Sequence, residues 1–352
     1  MSEIITAIEQ VLGRLGMSPD VQPLGAFLVL LAAIYVLFLG PLWFAVRRQW
    51  VHRSTAAFWV FISPWVFGFL LFTVGPMAYS LVLSFFDWNL IDPPSFTGLD
   101  NYTEAASDPL VAKAVQVTLT YAALSVPLQV ALSLGVALLM NVRVRGIHVF
   151  RTIWYLPSLV TGVAQVVLFL WVFNPGYGLL NGVLRVFGIE GPAWFADPGW
   201  ALPAVVIMSL WTVGGNMVIY LAGLQDVPTE LYEAAHLDGA GAVRRFWSIT
   251  LPQISPVIFF NVITGLIGAM QTFTQGYVVT QAGGGPSHSL LFFVLYLYQN
   301  AFEYFRMGYA SALAWILLVM ILLLTALIFR GSAFWVYYES TRPKEARFAR
   351  AK

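Results

Sequence analysis

Residues 233–252 read EAAHLDGAGAVRRFWSITLP, a polar stretch rich in small residues, set between two long apolar runs. Its local chemistry describes two short helical pieces. Pro228 sits where a first helical residue tolerates proline, because its missing N–H would be unpaired there anyway. The helix it starts is expected to reach about Leu237 and to stop near Gly239, whose lack of a Cβ suits a left-handed cap. Leu231, Ala234 and Ala235 share one face at i, i+3, i+4 spacing, and alanine and glycine let another surface come close to the backbone. After Gly241, Val243, Phe246, Trp247 and Ile249 form an apolar side, while Arg244 and Arg245 face water or headgroups. Pro252 and Pro256 then return the chain to the next apolar run. Such a segment either docks a second protein or packs on its own bundle, and residue chemistry alone leaves both readings open.

The surrounding composition names the solvent. Of 352 residues, 59% are hydrophobic and 10% charged, against roughly 25% charged in a soluble domain. A chain with so few charges cannot cover its surface in water, so the partner of most of it is a lipid bilayer. The net charge of +1 provides no basic face for nucleic acid. The absence of cysteine removes disulfides, thiolate metal sites and thiol nucleophiles. The four histidines are scattered, with no HExxH pair, and none of Lys113, Lys344 and Lys352 follows a glycine-rich loop. No metal site, no catalytic residue and no cofactor bound by this chain are expected, and it cannot hydrolyse ATP through a P-loop of its own.

Seven runs are long and apolar enough to cross about 30 Å of hydrocarbon: about 24–46, 58–86, 116–140, 152–173, 200–222, 256–280 and 308–329, none with a charged residue. Gly75-Pro76 either kinks the second or marks where it leaves the membrane, and Asp87-Trp88 reads as its interfacial exit. Loops 47–57, 141–151 and 223–255 and the tail from 330 hold all of the 18 Lys and Arg except Arg14, Lys113, Arg185 and Arg306. By the positive-inside rule that side is cytoplasmic, and residues 233–252 with it. Residues 2–16 are amphipathic at helical spacing. The run at 24–46 reads as an extra first span with the amino terminus outside; as a re-entrant piece it would put the terminus inside. The expectation is an all-α polytopic membrane protein of three parts: 1–50 as an amphipathic segment and extra span, 51–330 as the transmembrane domain with the loop 223–255, and 331–352 as a basic cytoplasmic tail.

Glu233-Ala234-Ala235, three residues, Gly239, nine residues, then Ile249-Thr250-Leu251-Pro252 resembles the EAA signature of ABC-importer permeases without a departure. FTGLDNY (96–102), FRTIWYLPSLV (150–160), WVFNPGYGLLN (171–181), LAGLQDVPTELYEAA (221–235) and GGGPSHS (283–289) resemble the maltose-type sugar permeases in particular. The resemblance covers about 58–330 and implies a six-helix permease core plus the extra N-terminal helix. It implies a bacterial or archaeal cytoplasmic membrane and a role as half of the pore of an ATP-driven importer of a di- or oligosaccharide. The implied partners are a second homologous permease, a dimeric cytoplasmic ATP-binding subunit that uses ATP and Mg, and an extracytoplasmic sugar-binding protein. Glu233, Ala234, Ala235 and Gly239 then make the helix that docks on the ATPase, with Asp238 and Arg244 as flanking contacts.

The same resemblance places substrate between the helices on either side of that loop. On the first, Met208, Trp211, Thr212 and Gly215 fall along one face with Asn216 beside it; on the second, Gly265, Ala269 and Thr272 do, with Gln271 and Gln275 adjacent. Small and polar residues with one aromatic ring suit a sugar, although such residues also serve helix packing within membranes, and Trp211 equally suits a lipid-facing position. Spans without charge favour neutral cargo. GGGPSHS reads as an outer gate contacting the binding protein or as a plain turn, and Arg306 with Glu303 as a solvated pair. An ion-coupled secondary transporter of a small neutral solute is the alternative, but it would be expected to carry ionisable residues within its spans. An enzyme acting on lipid-linked substrates would need clustered acids or histidines, which the chain lacks.

Overall fold

The computed structural model describes residues 52–337 apart from Arg143 and Thr161, together with Gly25, Val29, Val36 and Arg48. The expected amphipathic segment at 2–16, the extra span at 24–46 (those isolated positions aside) and the tail from 338 lie outside the described residues. The chain divides into two compact units, residues 1–82 and 83–352.

In the first unit, α1 (Arg53–Phe69) runs through a π-helical turn at Leu70–Val74 into α2 (Gly75–Leu83). Pro76 offers no N–H to the ladder, and the helix absorbs it upstream: the Gly75 N–H donates to the Leu70 carbonyl five residues back. Gly75-Pro76 is therefore bridged within a continuous helix. The apolar helix Ala57–Leu83 is continuous over 27 residues.

The second unit opens with a ribbon, β1 (Phe86–Asp87) paired antiparallel to β2 (Ser95–Phe96), and the short α3 (Asp100–Ser107). Asn101 pins this corner by donating to the carbonyls of Ser84 (2.9 Å) and Phe86 (3.0 Å). The organising helix is α4 (Pro109–Met140), 32 residues or about 48 Å long. Asp108 caps it, accepting from the Leu110 N–H at 2.8 Å, with Pro109 in the first turn. At the far end Arg151 donates through Nε and a terminal nitrogen to the Met140 carbonyl, where a cation suits the helix dipole.

The remaining elements are α5 (Ile147–Tyr155), α6 (Val163–Val172), α7 (Leu179–Val186), α8 (Pro198–Ser209), α9 (Val213–Gln225), α10 (Thr229–Leu237), α11 (Ala242–Arg245), α12 (Leu251–Gln253), α13 (Ser255–Met270), α14 (Thr274–Thr280), α15 (Phe293–Tyr298) and α16 (Met307–Ser332). α4 packs against α8, α9, α13 and α15. Among the described residues, five helical segments are long and apolar enough to cross a membrane: Ala57–Leu83, Pro109–Met140, Pro198–Gln225, Ser255–Thr280 and Met307–Ser332. The expected span at 152–173 is bent. Ile147–Leu159 and Val163–Val172 meet at 100°, with Gly162 at φ 66° between them, so the count reaches six only if that pair is one span. α8 and α9 are separated by a 3₁₀ turn at Leu210–Thr212, and α13 and α14 by a break at Gln271–Phe273.

Two contacts lock the unit, one at an end of α4 and one beside the α8–α9 break. Near the start of α4, the Asp108 carboxylate accepts from the phenols of Tyr296 on α15 and Tyr309 (2.9 Å) on α16. Burial works against its ionised form, but the bonds from Tyr296, the Leu110 N–H and Tyr309 outweigh it and hold the carboxyl below its usual value. Burial and the neighbouring carboxylate push the Tyr296 phenol up to about 12, so it remains a donor. Near the middle of the chain, Gly214 on α9 meets the backbone of α5 so closely that a Cβ there would lie 2.0 Å from the Trp154 carbonyl oxygen.

Gly214→Ala must push two backbones apart and is expected to cost about 1–3 kcal/mol. At Gly215 the added Cβ would be 3.9 Å from Ser158 Cβ, so Gly215→Ala is expected to leave the thermal unfolding midpoint in detergent nearly unchanged. Asp108→Asn keeps the cap acceptor but loses two charge-assisted bonds and is expected to cost about 1–3 kcal/mol. Because the folded carboxyl lies below its unfolded value near 4, that stabilisation is complete above about pH 4 and fades as pH falls further. The wild-type midpoint should therefore drop in that window more steeply than that of Asp108→Asn.

Candidate functional site

A cavity of about 360 Å³ lies where the broken helices meet α4. Inside a bilayer, non-helical backbone is tolerated only where protein or a cavity satisfies it, and the breaks obey that rule. Ser209 and Thr212 reach the cavity from the α8–α9 break, Thr272 from the α13–α14 break, and Gln165 from the first turn of α6 just beyond the third. The Gln165 amide donates to the Met208 carbonyl at 2.9 Å, supplying a partner to a carbonyl at the end of α8. Several hydroxyls spend their proton on nearby carbonyls: Ser209 on Val206 (2.6 Å), Thr212 on Ser209 (3.1 Å) and Thr264 on Phe260 (2.9 Å). Each then keeps acceptor lone pairs.

Of the expected pathway residues, Met208, Thr212, Asn216, Gly265, Ala269 and Thr272 line this cavity. Trp211, Gly215 and Gln271 do not. The Trp211 ring turns away to stack edge-on against Phe169 at 5.6 Å and stays partly exposed. Gly215 backs onto the 3₁₀ turn at Ser158, and Gln271 ends α13, exposed on the outside of the break. A single-helix face was the wrong guide here, because the chain changes direction at these positions. Residues not anticipated are Tyr121 and Gln129 of α4, Gln165 of α6, and Ser209, Thr264 and Gly268; Gln275, expected beside the face, lines the wall. The signal available for Gln129 and Gln165 was a primary amide inside an apolar span. The lining supplies amides, hydroxyls, one phenol and small apolar surfaces, with no charged side chain. It can sort solutes by hydrogen-bond pattern and exclude those needing a counter-ion.

The 229–253 segment is built as its chemistry predicts, with Pro228 one place earlier, at the N-cap of α10. Gly239 adopts φ 74°. Its N–H reaches the His236 carbonyl (3.0 Å) and the Ala240 N–H reaches Ala235 (2.8 Å), the paired bonds of a Schellman cap. A π-helical turn at Phe246–Thr250 joins α11 to α12. Tyr232 and Thr250 share a hydroxyl–hydroxyl bond of 2.9 Å, and Tyr232, Ile249 and Leu251 pack on the cluster of Leu134, Ala137, Tyr220, Leu224 and Ile254. The outward side is left bare: no α10 residue is buried, and Leu237, Val243 and Trp247 are 88%, 73% and 63% exposed. Glu233, Ala234, Asp238, Gly239 and Arg244 are exposed there, with Ala235 half-buried. At the opposite end of α4, Arg306 pairs with Glu104 at 2.6 Å, not with Glu303.

Residues 117–333 match the family described as "Binding-protein-dependent transport system inner membrane component". The chain is 41% identical over 297 residues to the "Probable ABC transporter permease protein YesP" of Bacillus subtilis (strain 168), covering 84% of this chain and 96% of that protein. It is 37% identical to the "Sulfoquinovosyl glycerol transport system permease protein SmoG" of Agrobacterium fabrum (74% and 85% covered). It is 34% identical to the "Lactose transport system permease protein LacF" of Rhizobium radiobacter (77% and 92% covered). Among solved structures it shares its fold with a bacterial alginate ABC transporter in complex with an alginate pentasaccharide-bound periplasmic protein, at TM-score 0.70 and 23% identity over 82% of this chain and 96% of that one. The ion-coupled alternative does not survive these matches. The chain belongs to the binding-protein-dependent inner-membrane component family: it is an ABC transporter permease.

Proposed function

We propose that this permease forms half of the pore of an ATP-driven importer of a neutral di- or oligosaccharide. The observation that carries the cargo is the central cavity, which is rich in amides and hydroxyls and has no charged side chain. Of the related permeases, one is named for lactose and another for sulfoquinovosyl glycerol. No charged side chain lines this cavity, so a neutral, lactose-like cargo is the better fit.

In this reading the fold is a six-helix core with one additional N-terminal span, set in a bacterial or archaeal cytoplasmic membrane with the carboxyl terminus and residues 229–253 inside. A second homologous permease completes the pore, and an extracytoplasmic binding protein delivers sugar. A dimeric ATP-binding subunit, which uses ATP and Mg, receives Glu233, Ala234, Ala235 and Gly239, flanked by Asp238 and Arg244. What supports the docking role is an apolar, small-residue surface held rigidly by its cap and left uncovered. Closure of the ATPase moves the docked helix, and the packed ends of α4 and α9 carry that motion to the broken helices around the cavity. ATP drives transport only by favouring one of the two states over the other.

With the assembled transporter in proteoliposomes, uptake of labelled maltose, lactose and raffinose is compared with uptake of a glucuronate-containing disaccharide. At least one neutral sugar should be taken up in an ATP-dependent manner and the acidic one excluded; uptake of the acidic sugar alone would sink the cargo assignment. Co-purification tests coupling separately. Glu233→Lys with Gly239→Asp places a reversed charge and a strained left-handed side chain on the docking face. The ATPase should be lost while the partner permease is retained, and an ATPase still bound at wild-type yield would refute the docking role.

A further inference from the structure

A second recess of about 250 Å³ opens at the end of the bundle opposite residues 229–253. α4 measures the separation: Leu110 lines this recess, Tyr121 and Gln129 line the central cavity, and Leu134 and Ala137 lie under the 229–253 segment. Leu110 and Tyr121 are eleven residues apart, or about 16 Å along the helix. One packed layer separates the two spaces. Leu291 lines the outer recess, while the next residue, Phe292, stands edge-on against Tyr121 with ring centroids 5.3 Å apart. Leu290, Leu291, Phe292 and Phe293 are completely buried, and the Phe293 N–H donates to Thr118 Oγ1 at 2.9 Å.

The wall of this recess is built with effort. Gln281, Ala282, Ser287 and His288 all hold left-handed backbone, at φ 50°, 69°, 52° and 55°, a conformation that L-residues with side chains avoid and keep only where the surroundings over-determine it. The surroundings do so: the Gln299 amide donates to the Ala282 carbonyl, the Gly284 N–H to Thr280 Oγ1 (3.0 Å) and the Leu290 N–H to the Gly284 carbonyl (2.9 Å). Both Gln281 and His288 thereby stand on the wall with Glu303. These three side chains make no hydrogen bond or ion pair with the described residues. The floor is apolar and aromatic, from Leu110, Leu291 and Tyr296.

An imidazole, a carboxylate and a primary amide around an apolar floor match a hydroxyl-rich ring with one less polar face. A divalent cation would need more oxygen ligands than one carboxylate and its neighbours supply, and an anion would meet Glu303. We propose that the recess is a second saccharide site, an outer holding site filled before solute crosses the Tyr121–Phe292 layer to the central cavity. This rests on the saccharide-permease reading with residues 229–253 facing the cytoplasm.

The chain has no cysteine, so single thiols report cleanly on each space. Leu110→Cys reports the outer recess and Ala269→Cys the central cavity, each in the assembled transporter in nanodiscs. The rate of modification by a small methanethiosulfonate reagent is read by mass on this chain, with and without maltose, lactose or raffinose. A transported sugar should slow modification several-fold at both positions. Adding Glu303→Gln or His288→Ala should abolish protection at 110 and leave that at 269; Gln281→Ala repeats the test should either misassemble. Protection at 269 alone would overturn the outer site and leave the permease reading standing. Protection at neither position would overturn the saccharide reading and the outer site with it.

Discussion

Everything in the 83–352 unit follows from one constraint: in a bilayer, each backbone N–H and C=O must find its partner within the protein. α4 meets it by being an unbroken helix capped at both ends by side chains, Asp108 at one and Arg151 at the other. Its neighbours do not meet it alone. They break, and each break is made tolerable by a side chain such as Gln165 on the Met208 carbonyl or Ser209 on Val206. The groups that repair the ladder are also the groups that face the cavity, so the polar lining follows directly from the broken helices. Cavity lining and fold share the same residues.

This sharing explains what could and could not be read from the residues alone. Five of the seven expected spans, their approximate ends and the helix–cap–helix form of 229–253 were legible, because hydropathy, Pro228 and Gly239 act locally. The bend within 152–173 was not legible: no charged residue interrupts the run, and the 100° turn sits at Gly162, whose φ is 66°. Six of the nine residues expected along the pathway line the cavity, because small and polar side chains are conspicuous on an apolar helix. Trp211 and Gly215 do not, because the 3₁₀ turn at Leu210–Thr212 rotates the face on which a regular helix would have shown them. Tyr121 and Gln129 escaped because α4 contacts the cavity through the fold and not through proximity in sequence. Arg306 found Glu104 and not Glu303 for the same reason, since a partner about 200 residues away carries no local signal.

Charge is distributed with similar economy. Among the described residues, several ionised groups with defined partners sit at the ends of helices, such as Asp108 and Glu104–Arg306 at one end and Arg151 at the other. There water and headgroups reduce the cost of desolvation, whereas a charge at mid-depth would need burial and a counter-charge. The cavity itself is lined with dipoles alone.

The stiffness of the 229–253 segment completes the argument. A short exposed helix is marginal by itself, so a lever made of one would bend before it moved anything. Here the Schellman cap at Gly239, the Tyr232–Thr250 hydroxyl pair and the contacts of Ile249 and Leu251 with α4 and α9 fix its geometry without using its outer face. The apolar residues Leu237, Val243 and Trp247 remain uncovered because they are not needed for rigidity. Under the proposed docking role, a displacement applied to that face would pass through Leu134, Tyr220 and Leu224 to α4 and α9, both of which line the cavity, and so to the level where the helices are already broken.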